Sequence, residues 1–425
     1  MSDTLFGVTL PPRRPFSVPI RIVQEGGITA WLVEDRSLPV VSLAWAWPGG
    51  AALDMPGREG AMAMAAALLG EGAGGLDNLA FADALRDEGI SLGFSAARDS
   101  FEGSFRALSP ALPEAIRLAR LAMTEPRLEE AAIARVRARA VLGARQTLET
   151  PAGLARRAYV AAAFPDHPAG RLSTPESLMA ATREELRDSL ARQLRRGGLL
   201  VAAAGDLDEA SLRATLRALF DTLPDGAPET PPRLPAPARF GVRQVPKAAG
   251  QATLVFGQDG LLPTDPDWEA FQVALRVLAG GGFQSRLTKE IREARGLTYG
   301  IGAGLDLLFG RGVVTGQVQT DNATAGQVWD LLRAEWAKMA ADGPTEEELR
   351  ESVAFLAGSL PLQFTDSRRT ASLLLGLRQA GRAPEWLENR GQRLAALTRA
   401  QVAQAARRLD PAALALAVAG EPQGL

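Results

Sequence analysis

The chain has 425 residues, 46% of them apolar, with no Cys, a single His, and 47 Lys and Arg against 49 Asp and Glu. Nucleophilic Cys, Cys-rich zinc sites and disulfides are therefore excluded, and one imidazole is too few for a His-based catalytic metal site. A formal net charge of −2 leaves no electrostatic footprint of nucleic acid or of an anionic membrane surface.

The first residues, Met1-Ser2-Asp3-Thr4-Leu5-Phe6, lack a charged region followed by an apolar one, and no stretch is long enough to span a bilayer. The expected compartment is cytoplasmic, or periplasmic where a signal peptide has been removed. Strands are expected at 20–23, 28–33 and 40–47. Residues 60–69 have high helix propensity and no polar face, which predicts a helix buried on all sides. Gly70 to Gly75 matches G-x-G-x-x-G, but a helical pattern precedes it where a dinucleotide fold needs a strand. A helix then ends at Gly89, before an alternating segment that reaches Asp99 and resumes at Phe101. Arg135, Arg137 and Arg139 read as a solvated helix face. His167, between Pro165 and Pro168, reads as a loop residue with a local hydrogen bond. Leu178 to Arg183 opens a helix that leads to a strand at 199–205.

Residues 223–237 read LPDGAPETPPRLPAP, an extended and semi-rigid linker. Beyond it come a strand at 252–256, a helix pattern at 268–278, and Gly280-Gly281-Gly282 as a flexible connection or a backbone-lined peptide contact. A helix ends at Gly296 and a second alternating segment reaches Asp306. Leu394 to Arg399 opens a last helix, before a strand at 414–420. The second part echoes the first. The spacing is 207 residues from Gly89 to Gly296, 216 from Thr182 to Thr398 and 215 from Gly205 to Gly420. Three collinear echoes argue for a duplicated unit. Hairpin strands with helices grouped in runs give an α+β class with largely antiparallel sheet. The expected domains are 15–222 and 239–425, joined by a Pro-rich linker at 223–238.

Arg292, in the last helical turn, and Tyr299, opening the strand beyond Gly296, lie across a reversal of the chain. A guanidinium fork and a phenol both suit hydrogen bonding to the carbonyl oxygens of a peptide or a tetrahedral intermediate. The plainer alternative is an Arg paired with Glu293 and a half-buried Tyr. Asp54, Glu59 and Glu71 lie near the Gly-rich loop, but no spacing marks them as a catalytic pair.

Several segments together resemble the pitrilysin/insulinase family of metallopeptidases. They are the duplicated halves, Asp54…Gly57…Gly60 ahead of a helix and Gly-rich loop, Asp166-His167-Pro168-Ala169-Gly170-Arg171, and Ser285-Arg286-Leu287 running on to Thr298-Tyr299. The similarity is to the smaller, processing-peptidase-like branch, and it covers residues 15–420. It implies two homologous halves, each a mostly antiparallel sheet of about six strands packed against several helices, forming a clam-shell half. Catalytic subunits of the family carry H-x-x-E-H, with two His on one helix face around zinc and a Glu that activates the bound water. Those positions match Ala63, Ala66 and Ala67, and the downstream Glu ligand falls near Gly143 or Ala144. None has a donor atom, so this chain is expected to have no catalytic residues, metal or activity of its own. The family's substrate-binding Arg and Tyr match Arg292 and Tyr299. The resemblance implies a non-hydrolytic, substrate-binding subunit of a heterodimeric zinc peptidase. A homologous partner would supply zinc and general base, and an unfolded peptide would be the substrate. The alternative is a peptide-binding or scaffold protein of the same fold with no role in proteolysis.

Overall fold

Alternation and apolar runs build the strands, and two large sheets result, beside a two-stranded antiparallel pair of Thr4–Leu5 with Val8–Thr9, in the computed structural model, which describes residues 17–425 and the backbone of those four residues. Most of the N-terminal stretch read for a leader, and the domain start expected at residue 15, lie outside the described residues. The first half contains β1 (Ile20–Glu25), β2 (Ile28–Glu34), β3 (Val40–Pro48), α1 (Ala61–Leu68), α2 (Asn78–Asp87), β4 (Ser91–Ala96) and β5 (Ser100–Leu108). It continues with α3 (Leu112–Thr124), α4 (Glu130–Glu149), α5 (Pro151–Ala163), α6 (Pro175–Ala180), α7 (Arg183–Gln193), β6 (Leu200–Gly205) and α8 (Glu209–Phe220). The second half contains β7 (Arg243–Pro246), β8 (Gln251–Asp259), α9 (Trp268–Leu275), β9 (Thr298–Leu308), β10 (Arg311–Asp321), α10 (Ala325–Asp342) and α11 (Glu346–Ser359). Then follow α12 (Ser367–Gln379), α13 (Glu385–Glu388), α14 (Arg390–Ala395), α15 (Arg399–Ala406) and β11 (Ala415–Gly420).

The strand orders are β1-β2-β6-β3-β5-β4 and β7-β11-β8-β10-β9. In each sheet one neighbouring pair is parallel, β2 with β6 and β7 with β11, and the rest are antiparallel. The two sheets share one strand order and one pattern of parallel and antiparallel pairs, except that the second has five strands and no counterpart of β1.

The local devices repeat as well. Gly89 and Gly296 take positive φ of 62° and 65°, the left-handed turn that closes each helix before its hairpin. Thr182 and Thr398 each form a capping box with the third helical residue, Glu185 or Gln401. These Thr residues open α7 and α15 afresh, which corrects the expectation that one helix runs on from Leu178 or from Leu394. Ala181 is extended there, and the chain restarts at the cap. The helix expected over 268–278 is likewise divided, with a π-helical turn at Arg276–Gly280 after α9.

The central strands of each sheet are buried on both faces, which explains unbroken apolar runs such as those of β6 and β11. The first face carries helices of the same half. The second is covered by a helix from the other half. Leu374 and Leu375 of α12 pack on Trp31, Ala44 and Ala202 of the first sheet, and Tyr159 and Val160 of α5 pack on Val255 and Ala417 of the second. The N-caps of these exchanged helices, Thr150 and Asp366, are 216 residues apart.

Residues 223–238 have no regular secondary structure but are tied down. Leu234 exchanges hydrogen bonds with Phe309 and Arg311, and Pro232 C=O contacts His167 Nε2 at 3.0 Å. His167 Nδ1 accepts locally from Ala169 N–H, so the tautomer carries its proton on Nε2. Among the described residues no helix is long and apolar enough to cross a membrane.

Candidate functional site

The helix bearing the alanine positions is fixed by Asp54. Its carboxylate accepts from Gly60 N–H at 2.7 Å and Met62 N–H at 2.8 Å, satisfying donors that the start of α1 leaves free. Burial is the main cause that pushes the Asp54 pKa up from 3.8 to about 6, and the two N–H bonds oppose it. Asp54 is thus a structural cap. Glu59 accepts from Gly57 N–H, and Glu71 pairs with Arg135 at 2.8 Å and accepts from Asn78, so the three carboxylates near the Gly-rich loop have separate partners.

Helix α1 buries Met62, Met64, Ala65, Ala66 and Leu68, but Ala63 and Ala67 are exposed. This corrects the expectation of a helix buried on all sides. Its packing against α4, α7 and β4 leaves one stripe open, the stripe that holds positions i and i+4. Gly143 on α4 is exposed and Ala144 half-buried. None of the motif-matched positions, Ala63, Ala66, Ala67, Gly143 and Ala144, offers nitrogen, oxygen or sulfur from its side chain, so the site does not fit zinc. Among the described residues no three His, Asp or Glu side chains gather closely enough to hold a metal ion. The Gly70 to Gly75 loop follows α1 and precedes α2, with Asp77 capping α2 through Ala80 N–H, and no strand enters it.

In the second half, Arg292 and Tyr299 come together. Arg292 lies in a π-helical turn, Thr288–Glu293, and Tyr299 lies where the β9–β10 register slips between Thr298 and Ile301. Such bulges re-aim side chains. Thr298 Oγ1 receives Gly300 N–H and donates to Gln319 C=O, which holds the bulge. The Arg292 guanidinium stands 5.4 Å from the Tyr299 ring centre and 4.5 Å from that of Phe283. Tyr299 is 92% exposed and Phe283 63% exposed. Neighbouring arginines are paired, Arg286 with Glu348 at 2.6 Å and Arg295 with Glu290 at 2.7 Å. Arg292 makes no ion pair among the described residues, with Glu293 or any other carboxylate. The result is an open face of one guanidinium and two aromatic rings, suited to polar and apolar contact with an extended chain. Phe283 was missed from sequence. Its one signal is an aromatic residue directly after three glycines.

Residues 180–356 match the family model described as the peptidase M16 inactive domain. An uncharacterized zinc protease of Mycobacterium leprae is 31% identical over 222 residues, 51% of this chain and 50% of that protein. The chain thus matches about half the length of that relative. The non-peptidase homolog YmxG of Helicobacter pylori is 24% identical over 332 residues, covering 78% of this chain and 77% of its own. A crystal structure of a peptidase M16 inactive domain from Pseudomonas fluorescens superimposes with a TM-score of 0.89 at 24% identity, covering 96% of this chain and 99% of that one. These findings give the chain the fold of the Pseudomonas fluorescens structure and, with the family match over residues 180–356 and the donor-free alanines of α1, are consistent with a non-catalytic member of the peptidase M16 family, the pitrilysin/insulinase family that its motifs resemble.

Proposed function

We propose that this protein is the non-hydrolytic, substrate-binding subunit of a heterodimeric zinc peptidase, with 15–222 and 239–425 as its two domains. The observation that carries the reading is the Arg292 guanidinium, without an ion pair among the described residues and close to two exposed rings. A guanidinium left without a carboxylate, on a π-helical turn facing a bulged Tyr, is arranged for a ligand's carbonyl oxygens. The partner supplies zinc and the activated water. This chain supplies the opposing wall of a clam-shell chamber and the contacts of Arg292 and Tyr299. Because such contacts fall on backbone, selection follows extended conformation more than sequence.

The test is to isolate whatever homologue with an intact H-x-x-E-H co-purifies from the native cell, then assay it alone and mixed with this chain. Turnover of an unfolded peptide is expected only in the mixture. Arg292→Ala is expected to lower kcat/KM by about 100-fold, as removal of one transition-state donor does. Full turnover by the partner alone sinks the reading. The scaffold alternative accords with the name of the Helicobacter pylori homolog, and it predicts no co-purifying zinc subunit and no effect of Arg292→Ala.

A further inference from the structure

A cavity of about 270 Å³ lies where the two halves meet, and neither the α1 stripe nor the Arg292–Tyr299 pair lines it. One wall is α5, with Arg156, Tyr159, Val160 and Phe164; another is the sheet face formed by β8, β9 and β10; Arg98 closes the third side. Arg98 sits in the β4–β5 turn. Its carbonyl accepts from Ala52 N–H at 2.9 Å, and the next residue, Asp99, accepts from Phe309 N–H at 2.7 Å through its carboxylate. The backbone that presents Arg98 is therefore anchored to both halves.

The polar groups of this cavity are underused. The side chains of Arg98 and Arg156 make no hydrogen bond or ion pair among the described residues. Tyr159 is 1% exposed, yet its hydroxyl has no hydrogen-bond partner there. A buried hydroxyl without a partner is costly to maintain. Gly257 makes the room for it, since a Cβ at that position would lie 2.4 Å from the phenol oxygen. Asp306 already receives Thr315 Oγ1–H at 2.8 Å. Two guanidinium groups and one carboxylate line the space, so one further negative charge balances it. Burial foremost, then the repulsion of Arg156, lowers the pKa of Arg98, while Asp306 and Asp99 raise it. An anion relieves that repulsion. The remaining wall is apolar: Val160, Phe164, Val255, Leu308 and Val313.

We propose that this cavity binds an organic monocarboxylate with a small apolar body, its carboxylate held by Arg98 and Arg156 and met by the Tyr159 hydroxyl. A single surplus positive charge and the nearby Asp306 select against dianions such as phosphate monoesters. The apolar body lies against Val160, Phe164, Val255 and Leu308. The source of the carboxylate is either a free acid or the C-terminus of a peptide, and the chemistry recognised is the same. This proposal is independent of the subunit reading.

The test is calorimetric titration of the full chain with hexanoate, hexanamide, and an acetylated tripeptide ending in Leu, with its C-terminus free or amidated. Saturable binding of hexanoate or of the free-acid tripeptide is expected, with the matching amide weaker by about tenfold or more. Arg98→Gln and Arg156→Gln are each expected to weaken it by a similar factor. Gly304→Val is expected to block it, because Gly304 lines the cavity and nothing lies within 4 Å of the position its Cβ would take. Tighter binding of the tripeptide than of hexanoate assigns the site to a chain terminus, and the reverse assigns it to a free acid. Absence of saturable binding by either carboxylate, or binding unchanged in both arginine variants, overturns the proposal. The exposed Arg156 provides a variant whose folding is not at risk.

Discussion

Helices α1 and α9 hold the same place in the two halves, starting 207 residues apart, yet they treat the same face in opposite ways. On α9 the face that contains Ala270 and Ala274 is buried, at 5% and 0% exposure. On α1 the corresponding Ala63 and Ala67 stand open. A helix kept only for packing closes that face, as α9 does. The open stripe on α1 therefore reflects a surface the fold keeps clear, at the positions where catalytic relatives are expected to carry zinc ligands. The halves also differ in capping: α1 is held by the buried Asp54 carboxylate, whereas the N-cap residue of α9, Asp267, makes no side-chain capping bond.

The largest expected effect tests whether the halves are separable at all. Leu374 belongs to the second half but is fully buried against the first sheet. Leu374→Ala is expected to cost about 3 kcal/mol, the usual range for a buried Leu that leaves a cavity. Because the exchanged helices tie both sheets together, urea unfolding should shift as one transition. Two transitions, of which only the later part of the chain moves, break the picture of exchange.

Asp54 gives the next effect, and its sign is opposite to that of most carboxylates. With a folded-state pKa raised from 3.8 to about 6, the native state holds the proton more tightly than the unfolded chain across that window. Its contribution to stability is present at acid pH and lost as pH rises from about 4 to 6, on the order of 2 kcal/mol. The difference between wild type and Asp54→Asn, followed by chemical denaturation from pH 4 to 7, isolates it. A difference that is flat with pH means the carboxylate is not desolvated.

A third comparison sets Ala274→Leu against Ala67→Leu. The first forces bulk into a closed core and is expected to cost about 2 kcal/mol. The second adds it to an open stripe, within about 0.5 kcal/mol of neutral. Equal costs would mean that the α1 face is closed in solution.

The duplication was legible in sequence because it is written in residues with local physical roles. Gly89 and Gly296 supply positive φ, and Thr182 and Thr398 supply caps. The approach of Arg292 to Tyr299 was legible too, as a chain reversal with the two residues on either side. Three features were not. An Ala-rich helix has the same pattern whether Ala63 and Ala67 are covered or open. The exchange of α5 and α12 depends on contacts hundreds of residues apart. The π-helical turn under Arg292 and the bulge beneath Tyr299 have no compositional mark, and they are what aim the two side chains.

The smallest effect separates the halves most cleanly. Beneath α12 the first half has a cavity of about 110 Å³ in the place equivalent to the one beneath α5, lined by Ser42, Ser91 and Arg106 among others. None of its lining atoms is a buried hydroxyl without a partner, whereas Tyr159 brings one to the cavity beneath α5. Removing an unpaired buried hydroxyl lifts its desolvation cost, so Tyr159→Phe is expected to leave stability unchanged or raise it by up to about 1 kcal/mol. The same change should weaken hexanoate about fivefold, since the bound carboxylate would lose one hydrogen bond. Loss of stability would show that the hydroxyl has a protein partner in solution. Gain of stability with weaker binding shows a residue kept at the fold's expense for what enters the cavity.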